Sequence, residues 1–250
     1  MLIPSEQDFA QAVALWREWN GRINVISRKD EDNIFAHHIL HSLAIAEYLE
    51  LYYPSATGTV RSTSSLAMAR NALNNSDLTT CLPQESGGEE CSEVSDNQAF
   101  GCHDTFLDVG CGGGFPGIPL AMVMPEAKFT LCDSIGKKVK VAQAVADGLG
   151  LKNVECVNTR VESLAGEWDW VVSRAVTSLE NFYPWVKGRF RNSILYLKGG
   201  DIDTEIAALQ KKYHVPAANI RSWRIDSWLK DEYFAEKFVI EIGKNYLCTP

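Results

Sequence analysis

The sequence predicts a Rossmann-like α/β fold: a doubly wound, mostly parallel sheet of seven strands. Three observations predict it. From Thr105 onward, short apolar runs alternate with amphipathic stretches, the order that builds βαβ units. The first of these runs feeds a glycine-rich turn into a helix start, TFLDVGCGGGFPGIP, residues 105–119. The last two apolar runs, 217–225 and 235–243, follow each other without an intervening helix of any length, which predicts an antiparallel addition at one edge.

Residues 5–19 place Phe9, Ala12, Val13, Leu15, Trp16 and Trp19 at helical spacing, with Ser5 as N-cap and Asn20-Gly21 as stop. A connector, Arg22 to Asp30, leads to a second helix at about 31–51. Together they predict an N-terminal helical cap over residues 1–53. Residues 54–104 change character: Ser, Thr, Asn, Gly and Glu dominate and apolar residues lack a period, the composition of a flexible insertion. Strands are expected at 105–109, 128–132, 154–158, 169–174 and 193–198, then the final pair, and helices at about 115–123, 136–149, 178–190 and 201–213. Residues 105–250 thus follow the pattern of the seven-stranded fold of S-adenosylmethionine-dependent methyltransferases.

The bulk numbers restrict the class. The chain has 250 residues, 46% hydrophobic, enough for a sizeable core. Its net charge of −8 is uneven: residues 55–104 carry −5 and the rest −3, so any basic face is local. The seven Cys include no C-x-x-C, and Cys81, Cys91, Cys102 and His103 lack the paired spacing of zinc ligands, so no metal site is expected. No signal-peptide pattern and no membrane-length apolar run is present. The expectation is a cytoplasmic protein with reduced thiols, monomeric and without a membrane partner.

Asp108, Gly110, Gly112 and Gly114 form D-x-G-x-G-x-G at the strand-to-helix turn. Such a turn brings bare backbone against a nucleotide-like ligand. Asp108 is expected to tie down the loop or meet the ligand's amino group through water. Asp133, at the end of the second strand, is placed for ribose hydroxyls. Gly112, Gly114 and Gly117 also satisfy G-x-G-x-x-G, which keeps NAD as an alternative. The strand ends before Gly110, Phe115-Pro116 crowd the pyrophosphate position, and no second catalytic domain follows, so S-adenosylmethionine is the favoured cofactor. Val161 and Glu162 follow the third strand and flank the adenine position. Glu162 has a second reading, as an acid at a helix start. Arg174 ends the buried run DWVVSR, where a guanidinium needs an anionic or planar partner. Lys198 ends the fifth strand similarly. Arg22, Arg28, Lys29, His37 and His38 of the cap read either as solvated surface or as phosphate contacts.

The absences narrow the reaction. There is no [DN]-P-P-[YF] for transfer to amide or exocyclic nitrogens, no Pro-Cys for attack on a pyrimidine carbon, and no G-x-S-x-G. Cys111, Cys132 and Cys156 sit in or beside strands and read as packing residues. An acceptor with a free in-plane lone pair, such as guanine N7, needs no base. Catalysis is then mainly orientation.

The runs FLDVGCGGGFPGIPLAMVMPEAKFTLCDSIGKKVKV, WREWNGRINVISRKDEDNIFAHHILHSL, NTRVESL, SRAVTSL and YLKGG resemble the RsmG (GidB) family of bacterial 16S rRNA guanine-N7 methyltransferases. The resemblance covers roughly 9–53 and 105–200. It implies methyl transfer to one guanine in the decoding-region loop of 16S rRNA, as free RNA or in the small ribosomal subunit. It implies cofactor contacts from Gly110, Phe115, Val161, Glu162 and Arg174. Arg160, Lys137 and Lys138 would lie near the RNA or the reacting end, which makes Arg160 and Arg174 the catalytic candidates. Arg28, Lys29, His38, Lys137, Lys138 and Lys198 are the RNA-contacting candidates. The sequence departs from the family at His41, where an acid is usual, at Cys111 and Gly113 in the turn, and in the 55–104 stretch. The acidity of that stretch predicts that it projects away from the cofactor mouth.

Overall fold

The computed structural model describes residues 3–54 and 103–244. The expected insertion lies outside the described residues except at Pro54, His103 and Asp104, and so does the Cys81, Cys91, Cys102 set. The seven strands are β1 (Thr105–Val109), β2 (Lys128–Asp133), β3 (Val154–Asn158), β4 (Trp168–Arg174), β5 (Phe190–Gly199), β6 (Ile220–Arg224) and β7 (Lys237–Gly243). They form one sheet in the order β3-β2-β1-β4-β5-β7-β6. The first five are parallel, and β7 pairs antiparallel with both β5 and β6. This refines the expected edge: only β7 reverses direction, and it inserts between β5 and β6.

The central strands read as continuous apolar runs because both faces are covered. Side chains alternate between two cores. Phe106, Phe129, Trp170, Val172 and Leu195 face one way. Leu107, Val171, Ile194 and Tyr196 face the other. The second core is closed by α5 (Leu179–Val186) and α6 (Ile202–Tyr213). The first is closed by α3 (Gly117–Val123), α4 (Gly136–Gly148) and the N-terminal helices α1 (Ala10–Asn20) and α2 (His41–Tyr52). The cap therefore shares the core of the sheet. α2 is buried from His41 to Leu49, as an apolar helix surrounded by protein must be.

The second predicted helix is not uniform. A 3-10 segment, Arg28–Asn33, passes into a π-helical stretch, Ile34–Leu40, before α2 begins. His37 and His38 sit on the π-wound part. Before it, the connector is organised by Asn20, whose buried side-chain oxygen accepts from the N–H groups of Val25 and Ile26, both at 2.9 Å. That hydrogen-bonded turn sets Val25 against the glycine loop.

The two chain ends that flank residues 55–102 meet at Trp170. Its indole N–H donates to Asp104 at 2.7 Å, and the Tyr53 ring packs edge-on against it, with centroids 5.0 Å apart. Asp104 precedes β1, so this junction lies toward the amino edge of the parallel strands. Among the described residues, no helix is long and apolar enough to cross a membrane.

Candidate active site

A basin of about 460 Å³ opens at the carboxyl ends of β1, β2 and β4. Its wall includes Gly110 to Gly113, Asp133, Val161, Glu162 and Arg174. A larger cavity of about 850 Å³ lies at the other edge, beside His103, Thr105 and Lys128. Size alone would choose the larger one. The carboxyl edge is the ligand side of such sheets, because helix N-termini and the turns after the strands converge there.

The glycine turn is built for backbone exposure. Gly110, Gly112 and Gly114 have φ of 71°, 54° and 104°, a region that residues with a Cβ rarely adopt. At Gly110 a Cβ would also lie 2.5 Å from Val176 Cγ2, whereas at Gly112 it would meet nothing within 4 Å. The peptide at Gly112 therefore faces open space.

The two predicted acids divide the work. Asp133 caps the turn: Oδ2 accepts from Gly112 N–H at 3.0 Å and Oδ1 from Ile135 N–H at 2.8 Å. It also lines the basin, and each of its oxygens keeps a further lone pair. Asp108 does not line it. Its side chain is fully buried beneath the turn, and Oδ2 accepts from Gly117 N–H at 2.8 Å. Burial pushes its carboxyl up to about 7. Of the two expected roles, the structure gives Asp108 the anchoring one. Gly114 likewise packs rather than lines: a Cβ there would lie 2.3 Å from Ile118 Cδ1. Gly117 abuts Asp108 and Leu131, so the third glycine of G-x-G-x-x-G is a helix–strand contact.

Arg174 has the planar partner that the sequence required. Its guanidinium lies 4.9 Å from the centroid of Phe115, which also stacks on Trp16 at 4.3 Å and meets the His38 ring at 5.3 Å. Trp16 in turn donates its indole N–H to the carbonyl of Gly113 at 2.8 Å. Phe115 is thus mostly buried between cap and site, with an edge on the basin. Arg174 also donates to His38 Nδ1 at 2.9 Å. An arginine only donates, so His38 Nδ1 accepts and its proton sits on Nε2, toward Asp30 Oδ2 at 2.6 Å. Burial and the neighbouring Arg174 push His38 down to about 4, which keeps it neutral. Burial lowers Arg174 to about 10, so it stays charged near neutrality.

The remaining candidates spread over the mouth. Val161 is buried on the basin wall, and Glu162 and Arg160 are exposed beside it. Val161–Ser163 is a three-residue 3-10 turn, too short for the helix-start reading of Glu162. Arg189 holds this loop by donating to the carbonyls of Leu164 and Glu162. Lys138 lines the basin, while Lys137 is exposed one residue back on α4. Arg28 and Lys29 are exposed on the 3-10 segment after Val25. Lys198 points to Glu205, 2.8 Å away, and to the Thr177 carbonyl at 3.1 Å, with its side chain 13% exposed. Cys111 and Cys132 are buried and Cys156 half-buried. Burial pushes the Cys132 and Cys156 thiols up to about 12. That excludes them as nucleophiles near neutral pH.

Sequence reasoning passed over Val25, Asp30, Tyr233 and Lys237, each of which reaches the site from a distant part of the chain, and Val176, two residues after Arg174, whose apolar side chain packs on Gly110. One signal was available: Trp16 is a buried tryptophan, whose N–H requires a partner.

The strand order and the glycine-lined basin define a member of the seven-stranded methyltransferase class. Within that class the particular relationship is specific. The GidB family model, described as rRNA small subunit methyltransferase G, matches residues 91–224. The ribosomal RNA small subunit methyltransferase G of Christiangramia forsetii is 35% identical over 246 residues, covering 95% of this chain and 90% of that protein. The protein of the same name from Flavobacterium psychrophilum is 36% identical over the same shares. That of Porphyromonas gingivalis is 35% identical, covering 94% of this chain and 85% of its own. The chain belongs to the rRNA small subunit methyltransferase G family.

Proposed function

We propose that the chain methylates N7 of one guanine in the decoding-region loop of 16S rRNA, with S-adenosylmethionine as donor. One observation carries the reading: a chain of this family holds an open, backbone-lined basin at the carboxyl edge of its sheet, with an oriented Arg174 in the wall.

The residues fit the donor. Gly112 offers bare backbone with no atom above it, Asp133 keeps acceptor capacity for hydroxyls, and Val161 supplies an apolar surface for a flat ring. When bound, S-adenosylmethionine supplies a sulfonium methyl: the N7–carbon bond forms as the carbon–sulfur bond breaks, and that electron pair leaves on sulfur. Guanine N7 carries no proton, so no residue has to accept one. The titratable groups agree with that demand. His38 is neutral with Nδ1 already engaged, and Asp108 is sealed under the turn. What the chain contributes is position and excluded water. Asp133 and Gly112 fix the donor end, and Phe115, Trp16 and His38 hold Arg174 still. The same reading places the protein in the cytoplasm as a monomer acting on rRNA or the small subunit.

The test is methyl transfer to small-subunit rRNA followed by mapping of 7-methylguanine, with binding of S-adenosylmethionine and NAD compared. The expected result is one modified guanine and selective binding of the methyl donor. No transfer to free or ribosomal 16S rRNA overturns the reading.

A further inference from the structure

A second cavity, of about 500 Å³, adjoins the basin. The two share Arg174, Ala175 and Val176 as a common wall. Ala175 takes a positive φ of 52°, and Val176 is 37% exposed, so this wall is a short, sharply turned segment with an apolar side chain at its rim. A methyl acceptor has to reach the donor from an adjoining space, and this cavity meets the basin at Arg174.

The chemistry of its lining points to an anion. Three cations reach it: Arg174, Lys198 and Lys237. Arg174 is engaged by His38 and Phe115, and Lys198 by Glu205. Lys237 has no carboxylate within ion-pair distance among the described residues. Its ammonium instead rests 4.0 Å from the Tyr233 ring centroid. The β5–β7 register sets Lys237 opposite Gly199, at the end of the strand that also carries Lys198. Burial also lowers the Lys237 pKa, the mark of a cation partly withdrawn from water. Deeper in the wall, among the described residues, both ring nitrogens of His41 are buried without a hydrogen-bond partner, and its ring packs edge-on against Tyr233 and Phe234.

We infer that this second cavity receives the acceptor nucleotide, with Lys237 neutralising its backbone phosphate and Arg174 standing between acceptor and donor. The inference rests on the methyl-transfer reading above. It adds Lys237, from the last strand, as a positioning residue. Its own effect is electrostatic: neutralising one phosphate releases about one counterion and so adds about one to the salt slope of binding.

The test uses the full chain, saturated with S-adenosylhomocysteine, and a fluorescent RNA hairpin carrying the 16S decoding-region loop. Affinity is measured by anisotropy across a salt series for wild type, Lys237→Gln, Lys237→Arg and a control, Lys244→Gln. The expected result for Lys237→Gln is binding weaker by about 5- to 10-fold at low salt, with a log–log salt slope smaller by about 1. Lys237→Arg and the control should keep the wild-type slope, and S-adenosylhomocysteine affinity should stay within about twofold in all four. An unchanged slope in Lys237→Gln overturns the inference, and so does a parallel loss of S-adenosylhomocysteine affinity, which marks a structural role. Methylation of the same hairpin by wild type separates the two readings. Transfer with an unaltered Lys237→Gln slope sinks the cavity assignment alone, and no RNA binding by wild type sinks both.

Discussion

Arg174 donates a hydrogen bond to Nδ1 of His38 at 2.9 Å, joining the end of β4 to the π-wound stretch before α2. Asp30 closes the arrangement from behind, taking His38 Nε2–H on one oxygen and meeting His37 Nδ1 on the other, both at 2.6 Å. His37 in turn stacks on Tyr233 at 3.6 Å. The carboxyl edge of the sheet, with its basin, is thus held by the N-terminal helices.

Arg174→Ala should therefore act on the site more than on the fold. The expected loss in kcat/KM is about 10- to 100-fold, the scale of a lost charge-assisted contact. Arg174→Lys should not restore it, because an ammonium cannot both stack on Phe115 and donate to His38. Steady-state kinetics with cofactor titration tests this, and unchanged kinetics for Arg174→Ala refutes the role.

Gly110→Ala meets two obstacles at once, a φ of 71° and a 2.5 Å approach to Val176. A destabilisation of about 1–3 kcal/mol is expected, with loss of cofactor binding. Adding Val176→Ala should recover only part, since it removes the clash and leaves the backbone strain. Denaturant midpoints of the single and double variants decide it. Full recovery in the double variant would show that φ does not matter there.

The pH dependence of stability contains opposing contributions. His38 is lowered to about 4 and His41 well below its usual 6.5, each mainly by burial. Between pH 6.5 and 4 the unfolded chain binds protons that the folded histidines refuse, so their contribution is present above 6.5 and lost as pH falls. For His38 alone this is on the order of 3 kcal/mol. Asp108 acts in reverse. Its carboxyl is raised to about 7, so the folded state takes up a proton first, and acidification from 7 toward 3.8 stabilises it. Asp108→Asn removes that compensation. Urea midpoints at pH 7 and 4.5 should fall further apart in the variant than in wild type. An equal or smaller gap in the variant contradicts the assignment.

Asp133→Asn keeps the size of the side chain but turns one oxygen into a donor facing a backbone N–H. Either the Gly112 or the Ile135 contact is then lost. Cofactor affinity should fall about 10-fold, the cost of one hydrogen bond to a charged group. Isothermal titration checks it, and an affinity within twofold of wild type would remove Asp133 from the donor site.

Replacing residues 57–102 with a short linker should preserve cofactor affinity and rRNA methylation. The flanking residues Tyr53 and Asp104 converge on Trp170, while the basin lies at the carboxyl edge. Loss of either activity would show that the acidic stretch reaches the site.

The sequence by itself determined the class of fold, the glycine turn and the family. Those rest on local rules: strand and helix periodicity, φ > 0 at glycine, and an acid at the end of a strand all act within a few residues of chain. It also required a partner for Arg174 without identifying one. Only the tertiary structure decided that Asp108 is buried as an anchor while Asp133 lines the basin, although both end strands beside the same turn. The difference is burial, which side-chain alternation and the packing of α3 set together. Only the tertiary structure joined Phe115 to Trp16 and His38 to Arg174, contacts more than ninety residues apart in sequence. Lys237 shows the same limit. Its spacing in the last strand reads as an ordinary edge position, and it reaches the second cavity, beside Lys198 and Arg174, because β7 pairs with β5 at Gly199.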